Sequence, residues 1–329
     1  MIEILSQTAL ATVQDLGRHG ALGFGVGTSG AMDEMALSAG NLLLGNNEAD
    51  AAIEIQVFPF TLRFRQACAF AVTGADCAAT LDERPVLPWW SCQAAAGQTL
   101  RLGVPVAAAW KASRAYLCVA GGIDVPAVLG SRSTQLRGAF GGHQGRALQQ
   151  GDVLAVGVPG EGLRMTGFGL QPPALVDRMQ QDGVPAVRVM PAAEYGCYTE
   201  ASLAAFWGEP WKITPQSDRY GYRLAGPALS PIAPLELRSH GIVPGVIQVP
   251  PGGQPIVQMR DAQPSGGYPK IGTVIAADLW RLGQAPIGSL IRFMRCDWDE
   301  ALAANARNRA YLDEALRLIG LHRLQSGRG

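Results

Sequence analysis

Residues 216–224 and 239–241 hold the densest set of polar side chains in the chain. A charged group within a β-sheet is costly unless it is paired, so these side chains either pair with one another or bind a ligand. In the functional interpretation Arg219 and Arg223 bind an anion, and Asp218 is a base or orients one. His240 is a second candidate for proton transfer. The structural alternative is an ion pair between Asp218 and Arg223.

A second polar segment, residues 244–270, combines a lysine with a pair of glycines. The chain has only three lysines, Lys111, Lys212 and Lys270. Lys270 follows Gly266 and Gly267, whose backbone N–H groups can stabilise an oxyanion. Strand–turn–strand geometry is expected to bring a set of polar side chains to one rim: Gln248, Asp261, Gln263, Tyr268 and Lys270. A solvated loop tip at Lys270 is the alternative.

Two further segments are rich in glycine and polar residues. Glycines near Arg18 allow the backbone to approach a ligand, and a helix N-terminus near Ser29 offers N–H groups to an anion. The alternative is a surface ion pair at Arg18 and an Asp33 that only caps the helix. In residues 131–133, two serines and an arginine can bind a carboxylate or phosphate, although a simple turn is the alternative.

The overall composition excludes several classes of protein. The chain carries 27 basic and 27 acidic residues, which removes the bulk attraction on which nucleic-acid and anionic-membrane binders depend. No apolar run approaches the ~20 residues needed to cross a bilayer, and the N-terminus lacks the pattern of a signal peptide. The cysteines and histidines show no spacing typical of a metal site. We expect a cytoplasmic protein that binds no nucleic acid, membrane or metal.

The elements that must position these residues are mainly strands. The 41 glycines and 22 prolines separate short apolar runs, as is typical of a turn-rich β protein. Predicted strands cover residues 53–57, 61–64, 70–73, 99–102, 116–119, 187–189, 246–249, 256–259, 273–275 and 290–294. One helix is expected over about 33–44, with Asp33 as cap and Gly45 as stop. Another, over about 298–321, begins with a capping box of Asp297 and Glu300.

Domain organisation follows from length and composition. A chain of 329 residues favours two domains. A Gly- and Pro-rich segment from residue 157 to residue 173 is typical of a domain connection. We therefore expect an N-terminal domain over residues 1–170 and a C-terminal domain over residues 171–329.

Seven segments together give the chain a resemblance to one family. They are Val13–Arg18, Ser29–Asp33, Leu44–Asn46, Ile53–Ile55, Val119–Asp124, Gln216–Leu224 and Asp261–Pro269. In this order they resemble the allophanate hydrolase subunit 2 family over about residues 1–315. The resemblance implies a mainly β protein with a few helices. It also implies two cyclophilin-like β-barrel domains, one in each half, acting beside a subunit-1-type protein.

The family includes the C subunit of prokaryotic 5-oxoprolinase, an antagonist of a sporulation-kinase inhibitor, and part of the carboxyltransferase region of urea carboxylase. The 5-oxoprolinase type fits best, because the chain has no biotin carrier or biotin carboxylase region. The resemblance then implies ATP-dependent cleavage of 5-oxo-L-proline to L-glutamate in a complex with subunits A and B, with no activity alone. ATP belongs to that complex, and the chain has no P-loop sequence and no bound biotin.

Two other functions stay open. One is a carboxyltransferase-type subunit that acts on a urea-like acceptor with carboxybiotin. The other is a regulatory protein that binds and sequesters its subunit-1 partner. For the enzymatic functions, the predicted catalytic residues are Asp218, Asp261, His240 and Lys270. The predicted substrate- or anion-binding residues are Arg18, Ser29, Arg219, Tyr222, Arg223, Gln248, Gln263, Gly266, Gly267 and Tyr268.

Overall fold

The computed structural model describes residues 1–7, 10–106, 112–160 and 167–326. The chain divides into two compact units. The first contains Met1–His19, Ser29–Val176 and the chain from Arg309 onward, and the second contains Gly20–Thr28 and Asp177–Asn308. The sequence predicts a single boundary near residue 170. In the structure, Gly20–Thr28 lies before that position but belongs to the second unit, and the chain from Arg309 onward lies after it but belongs to the first unit.

The segment from Gly20 to Thr28 belongs to the second unit through backbone contacts. Thr28 Oγ1 donates to the carbonyl oxygen of Arg260 at 3.4 Å. Gly27 lies so close to Ala262 that a Cβ atom would be 2.7 Å from the carbonyl oxygen. These contacts depend on residues far apart in the sequence, which is why composition alone does not assign the segment.

The first unit is built from two antiparallel sheets around one core. Its strands are β1 Ile2–Ile4, β2 Ala11–Gln14, β3 Ala52–Ile55, β4 Phe60–Phe64, β5 Cys68–Gly74, β6 Thr80–Leu81, β7 Arg84–Pro85, β8 Ser91–Ala94, β9 Thr99–Leu102, β10 Ala115–Val119, β11 Ile123–Asp124 and β12 Val153–Val156. The seven-stranded sheet has the order β11-β12-β1-β4-β9-β6-β7, and the five-stranded sheet has the order β2-β3-β10-β5-β8. Apolar side chains of both sheets, such as Ile4 and Phe70, share the core.

Helix α1 (Glu34–Leu43) packs on the five-stranded sheet. Asp33 Oδ1 accepts a hydrogen bond of 2.9 Å from the Ala36 N–H, and Gly45 follows the helix with a φ of 69°. Gly40 allows the close approach of helix and sheet, because a Cβ atom there would lie 2.6 Å from Cys118 Sγ. The predicted helix and its N-cap are confirmed. A short helix, α2 (Pro173–Val176), ends the contiguous part of this unit.

The second unit contains a closed β-barrel. Its strands are β13 Gln180–Gln181, β14 Val184–Pro191, β15 Trp211–Ile213, β16 Gly221–Ala225, β17 His240–Gly241, β18 Val246–Gln248, β19 Ile256–Gln258, β20 Ser265–Gly266, β21 Lys270–Val274 and β22 Leu290–Arg295. The barrel order is β14-β21-β18-β19-β16-β15-β22, and a parallel pairing of β14 with β22 closes it. Strands β17 and β20 form a separate two-stranded ribbon.

The remaining helices are α3 Glu200–Gly208, α4 Leu279–Gln284 and α5 Trp298–Ser326. The residues of α5 from Arg309 onward belong to the first unit. Phe206 of α3 packs against Trp211 and Phe293 in the buried core. The predicted capping box begins α5, because the Glu300 N–H donates to Asp297 Oδ1 and the Asp297 N–H donates to Glu300 Oε2, each at 2.9 Å.

The expected fold class is confirmed. Each predicted strand overlaps an observed one, and the chain is mainly β with a few helices. The closed barrel lies in the second unit, whereas the described strands of the first unit pair as two sheets. No described helix is long and apolar enough to cross a membrane.

Candidate active site

Lys270, the first residue of β21, is the centre of a polar cluster in the second unit. Only 7% of this residue is exposed. Its Nζ atom lies 3.3 Å from Glu194 Oε2, and the same oxygen accepts a 2.9 Å hydrogen bond from the Lys270 N–H. A solvated loop tip, the alternative for Lys270, is therefore wrong. The carboxylate balances an ammonium group that would be costly to bury alone.

His240 contacts Lys270 from the β17–β20 ribbon. Nδ1 of His240 lies 2.9 Å from the carbonyl oxygen of Arg238. Because a carbonyl oxygen only accepts, Nδ1 carries the proton, and the lone pair of Nε2 faces Lys270 Nζ, which it contacts. The ribbon register, in which His240 pairs with Gly266, holds the imidazole in this place.

Two buried glutamines extend the cluster along β18 and β19. Gln248 is the pairing partner of Lys270 at a register shift between β18 and β21. Gln258 Nε2 donates to Gln248 Oε1 at 3.0 Å, which turns the Gln248 NH₂ group toward the loop of Gly266. A Cβ atom on Gly266 would lie 2.6 Å from Gln248 Nε2. Glycine is therefore the residue that fits beside this amide.

These groups combine donors with acceptors in a largely buried place. The Lys270 ammonium and the Gln248 amide can bind a carboxylate or stabilise a carbonyl oxygen that gains negative charge. His240 Nε2 can accept a proton. We refer to Glu194, His240, Gln248, Gln258 and Lys270 as the Lys270 cluster.

Glu194 and Gln258 are the members that sequence reasoning missed. Glu194 lies 76 residues before Lys270, in a turn that shows no motif. Gln258 ends the short strand β19 after two apolar residues, where a glutamine is noticeable but has no evident partner. Only the barrel pairing brings the two to the cluster.

Arg219 and Asp261 form a salt bridge with each other. Arg219 Nε lies 2.9 Å from Asp261 Oδ2, and Nη2 lies 3.1 Å from Oδ1. The Asp261 N–H also donates to the Arg219 carbonyl oxygen at 2.8 Å. Both side chains are buried. The sequence predicts Arg219 as an anion clamp and Asp261 as a base or orienting residue, and the structure places the two side chains in one bidentate pair.

Asp218 and Arg223 do not form the ion pair that was the structural alternative; no such contact occurs among the described residues. Asp218 Oδ1 accepts hydrogen bonds from the N–H groups of Tyr220 (2.8 Å) and Gly221 (3.2 Å), so it shapes the turn before β16. Arg223 is exposed. These hydrogen bonds join Asp218 to residues two and three positions away, whereas an ion pair with Arg223 would span five positions. The nearer N–H groups therefore take the carboxylate.

The other predicted residues of the second unit are spread over different environments. Tyr222 is fully buried in the core, with its hydroxyl 3.5 Å from the Gly283 carbonyl oxygen. Gln263 and Tyr268 are exposed, whereas Gly266 and Gly267 are half-buried. The Tyr268 carbonyl oxygen lies 3.4 Å from Gln248 Nε2. Of this group, the structure places only Gly266 and the Tyr268 backbone at the Lys270 cluster.

Arg18 and Ser29 belong to the first unit. Arg18 is fully buried, donates from Nη2 to the Ser133 carbonyl oxygen (2.7 Å) and lies over the Phe140 ring. The alternative of a surface ion pair is therefore wrong. Ser29 is also fully buried, with a left-handed φ of 52°.

The serine–arginine loop of the first unit binds a carboxylate of the chain itself. Asp15 Oδ1 accepts from the Ser131 and Ser133 hydroxyls at 2.6 and 2.5 Å. Asp15 Oδ2 accepts from the Arg132 N–H at 2.5 Å. The two serine hydroxyls thus bind a carboxylate as expected, but the carboxylate is internal and the Arg132 side chain contacts the Val125 carbonyl oxygen and Asp124 instead.

Residues 24–295 match the family of the carboxyltransferase domain, subdomain A and B. The chain belongs to this family. The resemblance drawn from the seven segments is thereby confirmed. Two relatives match the carboxyltransferase-family chain over nearly their whole lengths. The 5-oxoprolinase C subunit of Haemophilus influenzae is 43% identical over 97% of this chain and 99% of the relative. That of Escherichia coli is 42% identical over 95% of this chain and 97% of the relative.

Solved structures of larger enzymes contain a similar fold. The urea amidolyase of K. lactis superposes with a TM-score of 0.85 at 29% identity, covering 95% of this chain and 20% of that one. The Kluyveromyces lactis urea carboxylase gives the same TM-score and identity, with 29% of its chain covered. This chain therefore corresponds to about a fifth to a third of those enzymes.

Proposed function

We propose that this chain is the C-type subunit of an ATP-dependent 5-oxoprolinase, which helps to cleave 5-oxo-L-proline to L-glutamate with ATP hydrolysis. The observation that carries the proposal is the identity of 43% and 42%, over nearly full length, to the 5-oxoprolinase C subunits of Haemophilus influenzae and Escherichia coli. We further propose that it acts in the cytoplasm, in a hetero-oligomer with subunits A and B, and is inactive alone.

The Lys270 cluster fits part of this chemistry. Ring opening adds the oxygen of water to the lactam carbonyl carbon, breaks the C–N bond and leaves a proton on the released amine. Lys270 and Gln248 supply donors for a substrate carboxylate or for the carbonyl oxygen as it becomes negative. When Lys270 donates to the substrate instead of to His240, the Nε2 lone pair becomes available and accepts the proton of the attacking water, while Glu194 holds Lys270 in position.

The sequence of this chain lacks the usual motif for binding the phosphates of ATP. The sequence has no P-loop, and two of the buried arginines serve the fold, since Arg219 binds Asp261 and Arg18 binds backbone carbonyl groups. A triphosphate requires several cations or N–H groups around it. We propose that the other subunits of the complex bind the nucleotide.

The direct test is glutamate release from 5-oxo-L-proline with ATP, measured for this chain alone and then with subunits A and B. We expect activity only in the mixture. In the reconstituted complex, Lys270→Met should lower turnover by about 10²-fold or more, since a donor to a developing charge is lost. Lys212→Met, an exposed lysine on β15, should leave turnover unchanged.

Two outcomes would contradict the proposal. No glutamate release in any mixture would remove the 5-oxoprolinase assignment. Full activity of Lys270→Met in an intact complex, confirmed by gel filtration, would remove the cluster from the reaction while leaving the assignment standing.

A second candidate function is transfer of a carboxyl group to a urea-like acceptor. The superposition on urea carboxylase over 95% of this chain favours it. The two functions separate experimentally. A carboxyltransferase consumes carboxybiotin in the presence of urea without 5-oxo-L-proline, whereas the C-type component of a 5-oxoprolinase does not.

A further inference from the structure

We propose that a cleft in the first unit binds a small carboxylic acid with an apolar body. The cleft is lined by residues 124–126, 128, 139–145 and 153–155 and has a volume of about 480 Å³. Small-molecule sites in proteins have volumes of about 300–1,000 Å³, so this cleft has the capacity for such a ligand. It shares no residue with the Lys270 cluster and does not depend on the proposed function.

One side of the cleft is apolar. Val125, Val128, Phe140, Val153 and Leu154 line it. Together they offer an aromatic ring and branched side chains to a ligand, a surface that favours a flat apolar group. The binding energy of a small ligand comes mainly from such contacts, whereas a few polar groups determine its orientation.

The other side is a rigid loop of glycines, residues 141–145. A Cβ atom on Gly141 would lie 2.2 Å from the Ser133 carbonyl oxygen, and one on Gly142 would lie 1.9 Å from Thr134 Oγ1. Gln144, which is not a glycine, also has a left-handed φ of 57°. Backbone strain of this kind persists where the surrounding structure imposes it, and it concentrates at ligand sites.

The loop presents donors. Positive φ angles lie on both sides of His143, at Gly141 and Gly142 (70° and 53°) and at Gln144 and Gly145 (57° and 69°), but not at His143 itself. This change of hand at His143 turns neighbouring N–H groups toward one concave side, which binds anions. Among the described residues, the N–H groups of His143 and Gln144 donate to no protein acceptor. Gln144 Oε1 accepts from Arg146, so its amide NH₂ group is a further donor.

The carboxylates beside the cleft are paired with cationic or donor groups. His143 Nε2 lies 3.4 Å from Asp152 Oδ1, so the imidazole faces this carboxylate, and Arg146 binds both oxygens of Asp152 at 2.7 and 2.8 Å. The arginine balances the carboxylate, so Asp152 adds no net negative charge. Asp124, which also lines the cleft, is paired with Arg132 at 3.5 Å. The cleft therefore offers more hydrogen-bond donors than unpaired side-chain acceptors, which favours a ligand with a carboxylate. Its apolar side favours a ligand whose remaining part is apolar.

Benzoate is the probe, and benzyl alcohol is the uncharged control of similar shape. The full ¹⁵N-labelled chain contains four histidines, so their imidazole signals can be followed separately by NMR. We expect benzoate to shift the His143 signals saturably. Benzyl alcohol should bind at least about tenfold more weakly.

Two variants test the two halves of the site. Gln144→Gly removes the side-chain amide donor at a position whose φ of 57° glycine adopts freely, and should weaken benzoate binding by about tenfold, read from the His143 signals. Ala155→Trp places a large side chain in the cleft and should abolish binding. Gln150→Trp, an exposed position outside the cleft, is the matched control and should bind normally. Thermal unfolding confirms that each variant is folded.

Three results would overturn the proposal. The first is the absence of any saturable change at His143 up to about 50 mM benzoate, since affinity weaker than that is not specific. The second is equal affinity for benzoate and benzyl alcohol, which would leave an apolar cleft without an anion site. The third is normal binding by folded Ala155→Trp, which would place the ligand elsewhere.

Discussion

Lys270 Nζ lies 3.3 Å from Glu194 Oε2, although the two residues are 76 positions apart in the sequence. One carboxylate oxygen serves both the side chain and the backbone N–H of the lysine. The pair therefore fixes the direction of the ammonium group as well as its charge. This arrangement makes Glu194 a positioning residue for Lys270.

Glu194→Gln is expected to lower both the turnover of the reconstituted complex and the free energy of unfolding of the chain. The amide oxygen can still accept from the Lys270 N–H, but the buried ammonium loses its counter-charge. We expect a loss of about 1–3 kcal/mol in the free energy of unfolding and about tenfold or more in turnover. Steady-state glutamate release and urea unfolding measure the two effects.

Glu200→Gln is the matched control, since Glu200 is exposed in the first turn of α3. It should change turnover little. Normal turnover of Glu194→Gln would mean that the carboxylate serves the fold alone.

The local elements could be predicted from the sequence. Short apolar runs bounded by glycine and proline mark the strands, and Asp33 and Asp297 mark helix starts through hydrogen bonds to residues three positions away. These signals act within one or two turns of chain, where side-chain type decides the backbone conformation. The resemblance to the family then implied a β-barrel in each half, and the structure shows a closed barrel in the second unit.

The partners within the site could not be predicted in the same way. Arg219 pairs with Asp261, 42 residues later, rather than with a neighbour, because barrel pairing sets which side chains meet. Asp218 instead satisfies two nearby N–H groups. A sequence shows that a charge needs a partner, but only strand register identifies the partner.

The buried pair of Arg219 and Asp261 gives a prediction of non-additivity. Arg219→Leu leaves a buried carboxylate without its bidentate partner and should destabilise the chain by about 3–5 kcal/mol. The double variant Arg219→Leu with Asp261→Leu removes both charges and should be more stable than Arg219→Leu alone. Denaturant unfolding of the two singles and the double forms the cycle. Additive losses would show that the pair does not act as a unit.

Asp152 should make stability depend on pH in the acid range. The hydrogen bonds from Arg146 lower the pKa of Asp152 from its ordinary value of 3.8 to about 2. Because the folded pKa is the lower one, the stabilisation is fully present above about pH 4 and is lost as pH falls toward 2. After allowance for solvent screening, we expect a contribution of about 1 kcal/mol.

The check for Asp152 is unfolding free energy measured between neutral pH and about pH 2.5. Asp152→Asn should be less stable than the unmodified chain at neutral pH and should show a smaller loss on acidification. Asp182→Asn, at an aspartate whose side chain is 72% exposed, should follow the unmodified chain. An identical acid loss in Asp152→Asn would contradict the assigned cause.

Gly266→Ala tests how tightly the loop of the ribbon fits Gln248. The added Cβ would lie 2.6 Å from Gln248 Nε2, so the amide must move away from the direction that Gln258 gives it. We expect turnover to fall by about tenfold, since a displacement of this order misplaces a donor, with a stability loss of about 1 kcal/mol. Gly252→Ala, where a Cβ meets no atom within 4 Å, should retain both. Unchanged turnover of Gly266→Ala would show that the Gln248 amide does not take part in the reaction.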